Sequence, residues 1–276
     1  KIRLLIDKQN IIKNKVVNPK LYDSIVPYID INITGGAIYK NRLMMLDILA
    51  NNNWKRPIYF SPGSFGDDDY IWMKDYLQLD GMVYKLVPIK TPIAKDASLH
   101  DMGFVDSDVM YNIVKKWDWG NSNSSKIYHD PETRRNSISY RTNLSRLMEQ
   151  LIKEKKFAKA EEIIDLGMKK MPIKYYDYYT MVEPFASGYY AIGKKEKARK
   201  LLTELSVKYQ EQLKYFSNYK PSELGSVAME VVTNIERYRS LLMVMKDSND
   251  LEFYNENRKV FNSYNHLFKL FDRDDE

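Results

Sequence analysis

The chain has 276 residues, a formal net charge of +6 and no cysteine. That length buries a good core and fits two domains, while the missing thiols exclude disulfides, thiol catalysis and thiolate metal sites. The lysines sit among acids, as in Lys153-Glu154-Lys155-Lys156 and Lys194-Lys195-Glu196-Lys197. Mixed runs of that kind are solvated helix faces, so no nucleic-acid partner is expected. Apolar stretches such as Leu241-Leu242-Met243-Val244-Met245 fall far short of the ~18 residues that a membrane helix needs. The chain starts at Lys1 without a leader pattern and reads as a processed chain or a piece of a longer one.

Residues 1–135 hold short β-type runs between turn signals. Ile2-Arg3-Leu4-Leu5-Ile6 predicts a strand, and Tyr28-Ile29-Asp30-Ile31-Asn32-Ile33 a second, half-buried one, since its apolar residues alternate. Thr34-Gly35-Gly36 is a turn. Leu43, Met44, Leu46, Ile48 and Leu49 recur at roughly helical spacing and predict an amphipathic helix. The polar break Asn51-Asn52-Asn53-Trp54-Lys55-Arg56 ends it, and Pro57 opens a buried strand, Ile58-Tyr59-Phe60. Asp67-Asp68-Asp69 begins an acid-rich helix, and Met82-Val83-Tyr84-Lys85-Leu86-Val87 is a further strand. Alternating strands and helices with short turns predict a small α/β layer.

A polar link over 121–137 precedes a change to helical period. Met148, Leu151, Phe157, Ala160, Ile164, Gly167 and Pro172 form one pattern. Ala186, Tyr189, Gly193, Ala198, Leu202 and Leu205 form another. Ala160 and Ala198 stand 38 positions apart, against ~34 in a tetratricopeptide repeat, so a small insertion is needed. A third pair, Leu224 to Met245 and Phe253 to Phe271, fits less well and reads as a cap. The competing reading is an irregular helical bundle. The expected class is α+β: an α/β domain over 1–135, then an all-α, tetratricopeptide-like helical-repeat domain over 136–276.

Catalytic patterns are thin. His100, His129 and His266 lie far apart, without metal-ligand spacing, and a lone histidine in a polar loop reads as a surface residue. Gly63-Ser64-Phe65-Gly66 lacks the flanking pattern of a hydrolase elbow or a phosphate loop. Asp67, Asp68 and Asp69 suit a helix start better than a cation site. No catalytic residue, metal or cofactor is expected.

Aromatic residues are the better route to binding. Trp117-Asp118-Trp119 places two indoles on one side of an extended segment, where they stack on sugar rings or else pack a domain junction. Tyr175, Tyr176, Tyr178 and Tyr179 line a concave peptide groove in one reading and repeat core in the other, with Tyr189 at a core position.

Asn-Asn-Asn-Trp-Lys-Arg-Pro-Ile-Tyr-Phe (51–60), Asp-Tyr-Leu-Gln-Leu-Asp-Gly (75–81) and Tyr-Lys-Leu-Val-Pro-Ile-Lys (84–90) carry a family resemblance. Together they resemble the soluble C-terminal region of bacterial multi-spanning, O-mannosyltransferase-like membrane proteins, formerly a domain of unknown function. The resemblance implies a polytopic enzyme using a lipid-linked sugar, with its catalytic acid on a loop between membrane helices outside these residues. It further implies a place on the periplasmic face of the inner membrane, attachment through N-terminal spans, and an acceptor protein or glycan as partner. The alternative is a helical-repeat scaffold that recruits a partner protein and is unconnected with sugar transfer.

Overall fold

A computed structural model describes residues 2–33, 37–61, 73–91 and 102–271. The expected turn at Thr34-Gly35-Gly36, the Gly63–Gly66 loop, the acidic run Asp67–Asp69 and His100 lie outside these residues. The class is α+β, with small sheets followed by a helical region. The chain forms two compact units, residues 1–118 and 119–276.

In the first unit β1 (Ile2–Leu5) pairs antiparallel with β2 (Tyr28–Ile31), bringing Leu4 opposite Ile29. Alternation along β2 buries Ile29 and Ile31. Between the strands runs α1 (Lys8–Lys13), capped by Asp7, whose carboxylate accepts from the Gln9 and Asn10 amides. A second, three-stranded sheet has the order β3 (Tyr59–Phe60), β5 (Val83–Leu86), β4 (Leu77–Asp80), all antiparallel. Gly81, at φ 71, opens the two-residue turn between β4 and β5, where a left-handed residue matches the twist of the strands. The expected strand–helix alternation thus yields antiparallel ladders.

The Asn-rich break works through its side chains. Helix α2 (Lys40–Asn52) ends where Asn53 and Trp54 take left-handed conformations, φ 45 and 58. The Asn52 amide brackets the turn, donating to the Arg56 carbonyl (2.8 Å) and accepting from its N–H (3.3 Å). Asn53 accepts from the Asn10 side chain, and Trp54 drops into the core beside Ile11, Ile31, Leu49 and Leu86.

Two expectations need correction here. Of the apolar residues assigned to α2, Leu49 is buried and Leu46 packs against the core, yet Leu43, Met44 and Ile48 are more than half exposed. The apolar set is wider than the stripe that the core can cover. The strand after Pro57 is a two-residue edge with Tyr59 47% exposed, the position where a residue without an N–H costs least.

The second unit is built from helical hairpins. Helix α4 (Pro131–Lys153) pairs with α5 (Phe157–Lys170), α6 (Glu183–Ala191) with α7 (Lys195–Phe216), and α8 (Ala228–Asp247) with α9 (Leu251–Asn265). An earlier helix, α3 (Ser107–Val114), belongs to the first unit. Helix α4 begins inside the expected polar link, because Asp130-Pro131 is a strong start. The Asp130 carboxylate accepts from the Glu132 and Thr133 amides, and Pro131 needs no N–H at the first position.

All three hairpins turn the same way. Lys155, Gly193 and Asn249 are left-handed (φ 59, 75 and 56). The next amide, of Lys156, Lys194 or Asp250, reaches back to Leu151, Tyr189 or Met245. That is the Schellman closure of a helix end. Ala160 and Ala198 are fully buried where the paired helices approach. A Cβ at Gly188 would overlap Met148 Sδ on α4, so a larger residue at the α4–α6 crossing would have to displace the Met148 side chain. Among the described residues no helix is long and apolar enough to cross a membrane.

Candidate functional site

The two tryptophans are engaged separately. Trp117 lies over the β4–β5 turn, its indole edge 3.0 Å from where a Gly81 Cβ would stand. Trp119 belongs to the second unit and packs on Tyr140 of α4 at 5.6 Å between ring centres.

The tyrosines of the α5–α6 connection divide likewise. Tyr176 is 3% exposed and donates to the Ser122 carbonyl at 2.9 Å, so it is core and not groove. Tyr175 is half-buried and stacks on His129 at 5.0 Å, which places that histidine in the interior and not at the surface. Tyr178 is 37% exposed. Tyr179 meets Tyr209 of α7 edge to face, and burial raises its phenol above the ordinary range. The buried tyrosines surround a guanidinium that sequence reading assigned no role. Arg141 is fully buried and donates to the carbonyls of Met171 (2.9 Å) and Asp177 (2.5 Å), fastening the connection to α4. Burial lowers its pKa to about 10, and it remains charged at neutral pH.

Next to this connection, α5 and α7 enclose a groove of about 700 Å³. Met168, Ile173, Leu201 and Val207 give it an apolar lining, and Lys174, Lys200, Lys208, Asp165 and Glu204 give it charge. Asp165 is held from one side by the Tyr189 hydroxyl (2.5 Å) and from the other by Lys197 (2.7 Å). A second groove, about 610 Å³, lies among α4, α6 and α8, with Met148, Glu149, Thr180, Glu183 and Val244 in its wall. Glu183 accepts from Ser240 (2.8 Å), and burial raises its carboxyl above the usual range.

The first unit carries a polar row that is buried at Gln78 and Asp80, half-buried at Lys85 and exposed at Tyr59. Tyr59, Lys85 and Gln78 are cross-strand neighbours in the three-stranded sheet, and Asp80 follows Gln78 on the same face. Gln78 donates to Asp80 at 2.7 Å, and Lys85 to the Val16 carbonyl at 2.6 Å. Phe104 runs parallel beside Gln78, which brings Asp106 alongside Asp80. Burial raises the Asp80 carboxyl and lowers the Lys85 ammonium. The row joins residues from all three stretches that carry the family resemblance.

Residues 1–109 match the family described as TMEM260-associated domain 2. The match covers the β-rich part of the chain, the polar row included, and stops within α3, ahead of the helical hairpins. It links the chain to a TMEM260-related family, TMEM260 being protein O-mannosyltransferase-like. Comparison with curated proteins and with solved structures gave no match.

The polar row was missed in the sequence because Gln78 and Asp80 alternate with Leu77 and Leu79, as on any half-exposed strand. Here the polar face is covered as well, and all four residues are buried. Among the described residues the grooves of the helical unit offer contact area, while Trp117 and Trp119 are each half-buried against neighbours of their own unit.

Proposed function

We propose that this chain is the non-catalytic, extracytoplasmic part of a membrane-embedded O-mannosyltransferase-like glycosyltransferase, and that it holds acceptor protein or glycan. The supporting observation is the match of residues 1–109 to TMEM260-associated domain 2. Attachment to the inner membrane through N-terminal spans and a periplasmic position belong to the same proposal. The helical unit supplies the binding surface, because its grooves pair apolar lining with charged rims in the manner of protein-recognition sites. The Asp165 carboxylate there is engaged by the Tyr189 hydroxyl and the Lys197 ammonium, and the three are not arranged as nucleophile and base.

A direct test titrates the isolated chain with unmodified and O-mannosylated acceptor peptides and assays it with lipid-linked mannose. Saturable binding without sugar release is expected. Turnover of the donor by the chain alone, abolished by a single substitution within it, overturns the non-catalytic reading, and binding to neither peptide overturns the acceptor reading. One observation favours a second reading, a scaffold that recruits a protein unconnected with sugar transfer: the matched residues stop before the helical unit. Capture of a partner that has no part in mannosylation, through α4–α9 alone, would support it.

A further inference from the structure

The groove between α5 and α7 has a specific charge pattern. Helix α7 presents Lys197, Lys200, Leu201, Glu204, Val207 and Lys208 to it, at the spacing that keeps residues on one helix face. From Lys197 to Lys208 that face is roughly 16 Å long, about the span of five extended residues. Two of its lysines are neutralised within the fold: Lys197 lies between Asp165 (2.7 Å) and Glu161 (2.9 Å), and Lys208 pairs with Glu211 (2.9 Å). Lys174 and Lys200 are different. Both are exposed and neither has an acid within ion-pair distance among the described residues, the Lys174 ammonium lying 5.5 Å over the Tyr175 ring. They flank the buried apolar side chains of Ile173 and Leu201, with Val207 exposed further along.

We infer that this groove is a binding site for a short acidic, amphipathic polypeptide segment, whose carboxylates meet Lys174 and Lys200 while an apolar side chain fills the space over Ile173 and Leu201. The inference rests on the reading that the helical unit holds polypeptide, and narrows it to one groove and one charge class. A basic segment is disfavoured, since it would bring like charge to both lysines. Glu204, midway along the rim, favours a segment with a polar or basic residue between its acids. Contacts with exposed lysines are salt-sensitive, so binding should weaken as ionic strength rises.

The test uses the whole chain and three fluorescein-labelled peptides of equal length: glutamate/leucine, glutamine/leucine and lysine/leucine. Anisotropy should show the glutamate peptide binding at least about tenfold more tightly than the glutamine peptide, with the preference fading in high salt. The double variant Lys174→Glu/Lys200→Glu should lose that preference and gain affinity for the lysine peptide. Val207→Glu should weaken the glutamate peptide in a chain that keeps both lysines. Equal affinity for glutamate and glutamine peptides, unchanged binding by the double variant in a folded chain, or no binding of any peptide would each overturn the inference. So would displacement of the labelled peptide by single-stranded DNA or anionic vesicles as readily as by unlabelled peptide, since the groove would then read charge alone. Failure here with intact binding of natural acceptors elsewhere on the chain would leave the proposed function standing.

Discussion

Arg199 of α7 grips Asp250 with two parallel hydrogen bonds, Nε to Oδ2 at 2.8 Å and Nη2 to Oδ1 at 2.7 Å. Asp250 is the last residue of the α8–α9 turn, so this ion pair ties the second hairpin to the third. Tyr190 (2.9 Å) and Lys195 (3.1 Å) complete the shell of a carboxylate that is 2% exposed. The fork geometry favours arginine over lysine at position 199.

Asp250→Asn should therefore destabilise the helical unit by about 1.5–3 kcal/mol, the range for hydrogen bonds to charged groups. The Arg199 guanidinium holds the Asp250 carboxyl well below the usual carboxylate range. A depressed folded value contributes stability above the unfolded value near ~3.9, and that stability is lost as pH falls through the folded value. Melting curves of wild type and variant should accordingly converge in strong acid. A constant difference across that window would deny the linkage.

Arg141→Met should loosen the connection over 171–178 while the hairpin helices persist. The substitution leaves the Met171 and Asp177 carbonyls without their donor, at a cost of about 1–3 kcal/mol. Hydrogen exchange should show faster labelling at residues 174–178 and little change in α7. Unaltered protection throughout would mean that packing of Tyr176, and not the guanidinium, fastens the segment.

Much of this framework was legible. Ala160 with Ala198 signals closely packed hairpins, whereas the helix start at Asp130-Pro131 lies inside the stretch that reads as a polar link. The third hairpin was harder to read, because Tyr254 stands where the others have alanine and Asn249 replaces the glycine of the second turn. Burial of individual polar residues was not legible. Arg141 looks like any charge on a long helix, and its partners lie on the folded-back connection, 30 to 37 positions away. Nor does the run Tyr175–Tyr179 have a period that separates Tyr176, inside, from Tyr178, outside. Which side of a non-helical segment is buried depends on partners distant in sequence, here Ser122 and His129.

That division is testable. Tyr176→Phe removes the hydroxyl that donates to the Ser122 carbonyl and should cost roughly 0.5–1.5 kcal/mol. Tyr178→Phe should change the melting temperature little. The reverse order in chemical denaturation would move Tyr176 back to the surface.

Gly188→Ala tests the crossing of α4 and α6. The added methyl overlaps Met148 Sδ and approaches Ile164 Cδ1 at 3.2 Å, so a loss of about 1–3 kcal/mol is expected from overpacking, despite the better helix propensity of alanine. Met148→Ala should rescue part of that loss by making room. Two losses that simply add would show that the clash is not the cause.

Asp80→Asn should have the opposite sign to Asp250→Asn, although both replace a buried aspartate. Asp80 has no cation within ion-pair distance among the described residues; it accepts from Gln78 (2.7 Å) and lies alongside Asp106. Burial is the largest influence on its carboxyl and raises it above the ordinary value, with Asp106 adding to the rise. A raised folded value means that the unfolded chain releases the proton more readily, so stability falls as pH rises from the unfolded value near ~3.9 through the folded one. Asparagine is neutral throughout and can still accept from Gln78, so the variant should match or exceed wild type at neutral pH. The two should approach each other below pH ~3.9, where Asp80 is protonated in both states. Denaturation midpoints measured across that range decide the matter: a variant less stable than wild type at neutral pH and equal in acid would show that the ionised carboxylate is favoured in the sheet, with Lys85 as its counter-charge.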